Sequence, residues 1–137
     1  MPLLDDDAAL TSLLQAARSI AIVGLSDKPH RDSYTIARYL LQQGYTIYPV
    51  NPGIRSVFGI PSHPDLVSIG NPVDIVDVFR SPGFVPAVVR DAIAAGMKTI
   101  WFQLGVANPA ATAEAIHHGM QVIQERCMMV EHRRLLR

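Results

Sequence analysis

Apolar positions along the chain alternate between short β-rich runs and stretches in which they recur at helical spacing. Residues 20–23, 46–50, 74–79, 99–102 and 121–124 read as five strands. Their Val and Ile content is that of strands covered by helices on both faces. Between them, Val85, Val88, Val89, Ala92 and Ile93 form one helical stripe behind Ser81-Pro82, and Asn108-Pro109 opens a further helix in the same way. A leading helix carries Leu10, Leu13, Leu14 and Ala17 behind the acidic start Asp5-Asp6-Asp7, and it is expected to cover the sheet or its edge.

Three helical patterns stop at a glycine (Gly44, Gly96 and Gly119) and pass directly into a β-rich run. A glycine suits the left-handed position that ends a helix, and helix followed by strand is the rhythm of a wound parallel sheet. The prediction is an α/β fold: a Rossmann-like five-stranded parallel sheet with helices on both faces, in a single domain over 1–137. A leading helix lies within 1–18 and a C-terminal tail spans 125–137. Residues 52–72, with prolines at 52, 61, 64 and 72, read as an ordered crossover with at most a short helix over 65–69, walling the region beside strand two.

The 137 residues suffice for one core. Twelve basic and twelve acidic side chains cancel, which excludes the broad positive field of a nucleic-acid or anionic-membrane binder. The local exception, His132, Arg133, Arg134 and Arg137, is expected to be solvated or to pack on its own domain. One cysteine excludes an internal disulfide framework. The acidic start has no signal-peptide pattern, and the longest charge-free run, 99–113, is interrupted by Gly105 and Pro109. A cytoplasmic protein is expected.

Candidate chemistry gathers where strands end. After strand one, Gly24, Leu25 and Ser26 make a turn followed by Lys28, His30 and Arg31, beside a helix that starts near Ser33. Such a turn, with backbone N–H groups and cations, suits a pyrophosphate. The G-x-G-x-x-G fingerprint and the ribose-binding acid of a NAD site are not met, since strand two ends in Val50, Asn51 and Pro52. That corner is rigid and largely apolar, and a planar base fits against Val50 or Pro52. Strand three ends in Phe79 and Arg80, an aromatic and a guanidinium at the carboxyl edge, and strand four ends in Gln103, Leu104 and Gly105.

Asp74 and Asp77 lack the acidic pair and the lysine of a phospho-acceptor site, and the adjacent His117 and His118 face apart on a helix. Cys127 reads either as a small buried hydrophobe or as a neighbour of a ligand.

The ordered blocks Ile22-Val23-Gly24-Leu25-Ser26, Tyr48-Pro49-Val50-Asn51-Pro52, 74–80, 101–105 and Arg126-Cys127 through Glu131-His132 together resemble a known family. They are similar to the small stand-alone CoA-binding proteins, whose fold is like the N-terminal CoA-binding domain of the succinyl-CoA synthetase α subunit. The resemblance implies coenzyme A, or an acyl-CoA, lying along the carboxyl edge. By position it implies Gly24, Leu25, Ser26, Lys28 and Arg31 at the diphosphate, and Val50, Asn51 and Pro52 flanking the adenosine. Phe79 and Arg80 would border the nucleotide or upper pantetheine, with Gln103, Leu104 and Cys127 toward the thiol.

No segment matches the synthetase domain that carries the phosphorylated histidine, so binding without catalysis is expected. A NAD(P)-binding oxidoreductase-like domain and a partner-docking protein of an acyl-CoA enzyme stay open as alternatives. A homo-oligomer stays open as well.

Overall fold

Residues 3–137 are described by the structure, a computed structural model. Five parallel strands form the central sheet: β1 (Ser19–Val23), β2 (Thr46–Val50), β5 (Ile75–Val78), β6 (Thr99–Phe102) and β7 (Gln121–Gln124). Their spatial order is β2-β1-β5-β6-β7. The chain therefore leaves β1 toward one edge and returns to pair β5 on the other side of β1. In open α/β sheets, a ligand crevice lies outside the strand carboxyl ends at that reversal.

Alternation along the strands separates two cores. Ile20, Ile22, Ile47, Ile75, Trp101 and Ile123 face one layer, where they meet α1 (Asp7–Ala16), α2 (Asp32–Gln42) and α5 (Met128–Leu136) through Leu10, Leu14, Ile36, Leu40 and Met128. Ala21, Val76, Val78, Ile100, Phe102 and Val122 face the other, against Val85, Val89 and Ala92 of α3 (Val85–Ala94) and Ala111 and Ala115 of α4 (Pro109–His117). Fully buried strands on both faces account for the near-continuous apolar runs of the sequence.

Local signals act largely as expected. Gly44, Gly96 and Gly119 have φ of 97°, 76° and 82°, the left-handed geometry of a helix stop. The Asn108 side chain accepts from the Ala111 N–H at 3.2 Å, capping α4. Ser81-Pro82 instead opens a single 3₁₀ turn, Pro82–Phe84, and α3 starts after it without a side-chain cap.

The crossover has more order than its prolines suggest. Ser56–Val57 and Ile60–Pro61 pair as a small antiparallel hairpin, β3 and β4, around Phe58 and Gly59, both at positive φ (55° and 72°). That is the geometry of a two-residue primed turn. A phenylalanine is unusual there, and its ring packs on Tyr34 of α2 with centroids 4.5 Å apart. A 3₁₀ turn at Val67–Ile69 matches the short helix expected over 65–69.

The end of the chain is helical. Arg134 forms a two-point ion pair with Asp7 at 2.8 and 2.9 Å and also holds Glu131, joining α5 to α1. The terminal basic cluster thus packs on its own domain. Among the described residues, no helix is long and apolar enough to cross a membrane.

Candidate functional site

The topological reversal puts the ends of β1 and β5 side by side, and Gly24 sits where they meet. Its φ is 85°, and a Cβ there would overlap the Phe79 carbonyl oxygen and crowd Arg80 Cδ. The glycine is therefore required by its own chain: it lets the Phe79-Arg80 backbone lie against the turn.

Beyond it, the Ser26 N–H donates to the buried Ser33 Oγ at 3.0 Å, and Ser26 Oγ accepts from the Lys28 N–H at 3.0 Å. These bonds fold the loop over the start of α2. No side chain caps that helix at Arg31, so its first-turn N–H groups face the crevice free for an anion. The resulting cleft, about 500 Å³, is lined by Gly24, Ser26, Arg31, Asp32, Ser33, Asn51, Ile54, Phe79, Arg80, Ser81 and Val106.

Two expected contributors stand elsewhere. Leu25 is fully buried in the α1/α2/α5 core, and its contribution is a carbonyl that accepts from Asn51 Nδ2 at 3.0 Å. Lys28 leans on Asp27 with its side chain 67% exposed and lines none of the clefts described here. Asp32, unexpected from sequence, brings a carboxylate to a place suited to phosphate.

At the β2 corner the Asn51 amide is engaged with the backbone, since Oδ1 also accepts from the Gly53 N–H at 2.8 Å. Ser62 and His63 of the crossover clasp the Asn51 main chain at 2.9 Å. Asn51 thus fixes the corner, while Val50 and Pro52 line a cleft of about 410 Å³ with Val23, Pro64, Asp65, Arg80, Phe84, Ala87, Val88 and Asp91. In its wall the Arg80 guanidinium lies 4.5 Å over the half-exposed Phe84 ring. The pair presents a flat surface suited to stacking.

On the other side of the Gly24 cleft, a smaller apolar one of about 310 Å³ runs between α2 and α5. It is lined by Asp32, Thr35, Ile36, Phe79, Gln103, Leu104, Val106, Cys127, Met129 and Val130. Gln103 is 5% exposed, and its Oε1 accepts the Met128 N–H at 3.1 Å, securing the start of α5. Its Nε2 has no protein partner among the described residues and so remains a donor for the cleft. Cys127, half-buried, is the residue before α5.

These three clefts are continuous. The first and second share Arg80; the first and third share Asp32, Phe79 and Val106. Of the expected residues, Gly24, Ser26, Arg31, Val50, Asn51, Pro52, Phe79, Arg80, Gln103, Leu104 and Cys127 all lie along this path. Sequence reading missed Ser33, Asp32, Phe84, Val106 and Met129. Helix starts were the available signal for the first two.

The sequence and the fold both have known relatives. The sequence pattern of a family described as CoA binding domain matches residues 18–133. The chain is 35% identical over 125 residues to an uncharacterized Bacillus subtilis protein, YneT, covering 91% of this chain and 93% of that one. A solved structure of a hypothetical protein from Pyrococcus horikoshii superposes with a TM-score of 0.94 at 38% identity, covering 97% of this chain and 94% of the other. An ADP-forming acetate–CoA ligase of Archaeoglobus fulgidus is 24% identical over 119 residues, 80% of this chain but 17% of the ligase.

Proposed function

The chain belongs to the CoA-binding domain family, and from that premise we propose that it binds coenzyme A or an acyl-CoA along the carboxyl edge of the sheet, without catalysis of its own. The observation that carries the reading is the continuous groove, whose chemistry changes along its length in the order in which CoA changes. The adenine takes the cleft at Val50, Pro52 and the Arg80–Phe84 pair. The diphosphate takes the α2 N-terminus with Ser26, Arg31 and Arg80. Pantetheine runs through the apolar cleft between α2 and α5, where Gln103 Nε2 meets one of its carbonyls.

Arg80 lines both the adenine cleft and the diphosphate cleft, so it carries the most binding energy. A guanidinium–phosphate contact of this kind contributes about 1.5–3 kcal/mol. Isothermal titration with CoA, with NAD and ATP as controls, tests the reading. The expected result is micromolar binding of CoA alone, about −8 kcal/mol, weakened roughly 10- to 100-fold in Arg80→Ala. Equal binding of NAD, or CoA affinity unaffected by Arg80→Ala, would overturn it.

A further inference from the structure

Past Cys127 the groove does not stop. Leu104, Cys127 and Val130 line the α2/α5 cleft and also a second cleft of about 500 Å³, whose remaining walls are Leu3, Leu4, Asp5, Gln124, Glu125, Arg126 and Glu131. A free CoA thiol at this junction would leave that space empty, although two large exposed apolar side chains, Leu104 (63% exposed) and Val130 (51%), continue into it. We infer that this terminal cleft receives the acyl group of an acyl-CoA, and that it selects neutral, apolar acyl chains over dicarboxylic ones. The inference rests on the CoA reading of the adjoining groove.

Selectivity follows from how the charges are spent. Arg126, the only cation of the lining, is already engaged: one guanidinium nitrogen donates to Glu131 and another donates to the Asp5 carbonyl at 2.8 Å. Glu131 is tied in turn to Arg134 at 2.8 Å. No free cation of the lining meets a terminal carboxylate, whereas Asp5 and Glu125 are exposed acids at the rim. A succinyl-type chain would bring its carboxylate to like charges and strip it of water beside leucine. A saturated chain meets Leu3, Leu4, Leu104 and Val130.

A titration series on the intact chain with CoA, acetyl-, butyryl-, hexanoyl- and succinyl-CoA tests this. Affinity is expected to rise with chain length by up to about fourfold per methylene, as burial of apolar carbon requires. Butyryl-CoA is expected to bind at least about tenfold tighter than succinyl-CoA, the same chain length with a charge at its end. Glu125→Lys, on the exposed rim beyond the thiol, should raise the succinyl-CoA to CoA affinity ratio and leave the hexanoyl preference in place. Equal affinity for CoA and all four thioesters, or succinyl-CoA matching butyryl-CoA, overturns the inference and leaves the CoA reading standing. Silence with CoA itself overturns both.

Discussion

At the scale of single residues, Asp77 departs most from what its surroundings favour. It lies in β5 between Ile22 of β1 and Trp101 of β6, fully buried, with neither carboxylate oxygen hydrogen-bonded among the described residues. Burial pushes its carboxyl well above the usual range. A carboxyl with a raised folded-state pKa binds its proton more tightly folded than unfolded. Its contribution is therefore fully present below about pH 3.9 and is lost as pH rises toward the folded value.

Asp74, three residues earlier, has the opposite sign. The Arg18 N–H at 2.7 Å and the Ser19 N–H at 3.1 Å hold its carboxyl below the usual range, so its contribution is lost as pH falls. Asp77→Val is expected to stabilise the fold by about 1–3 kcal/mol at pH 7.5, with a smaller gain at pH 4, read from urea midpoints at both values. An equal change at the two pH values would contradict a proton held by Asp77. The sequence marked both aspartates only as an incomplete phospho-acceptor pattern. Strand register decides which of them is buried, and a run of one-letter codes does not display it.

Among the elements, α5 shows what local pattern conceals. Its sequence reads as a basic tail, because its buried side consists of Met128, Glu131 and His132 rather than a stripe of leucines. Glu131 is satisfied locally by Arg126 and Arg134, whereas His132 finds its partner in a distant segment. The Tyr39 hydroxyl of α2 and His132 Nδ1 lie 2.7 Å apart, with the Tyr39 and Tyr45 rings edge-on to the imidazole. Strands and glycine stops, by contrast, were legible, since β-branched runs and left-handed turns follow from chemistry within a few residues.

Burial, followed by the charge of Arg137, holds the His132 imidazole below its ordinary value. Its stabilising contribution is present above about pH 6.5 and is lost as pH falls through the folded value. Tyr39→Phe should cost about 1–3 kcal/mol at pH 7.5 by leaving the ring nitrogen buried without a partner. His132→Gln should flatten the loss of stability between pH 6.5 and 5, measured by denaturant titration at each pH. A wild-type stability constant across that interval would contradict the assignment.

For the whole molecule, the arrangement of the groove ties ligand binding to the integrity of the sheet. Its walls come from β1, β2, β5, α2, α3 and the start of α5, so the site exists only when both core layers are assembled. A ligand that binds only the folded chain stabilises it by mass action, about 2.7 kcal/mol at one hundred times Kd. For a chain of 137 residues that corresponds to a rise in Tm of about 9 °C.

Asp32 opposes this gain, because its carboxylate shares the cleft with the proposed diphosphate. As the first residue of α2 it favours the helix dipole when the groove is empty. Asp32→Asn is therefore expected to lower Tm slightly without ligand and to raise the CoA-induced shift at fixed sub-saturating CoA, with affinity improved by about two- to tenfold. Opposite signs for the free and liganded protein in one thermal melt would locate a negative charge of CoA at the α2 N-terminus. A smaller CoA shift in Asp32→Asn would move the diphosphate away from that helix, since removing a repelling carboxylate from the phosphate site cannot weaken its occupation.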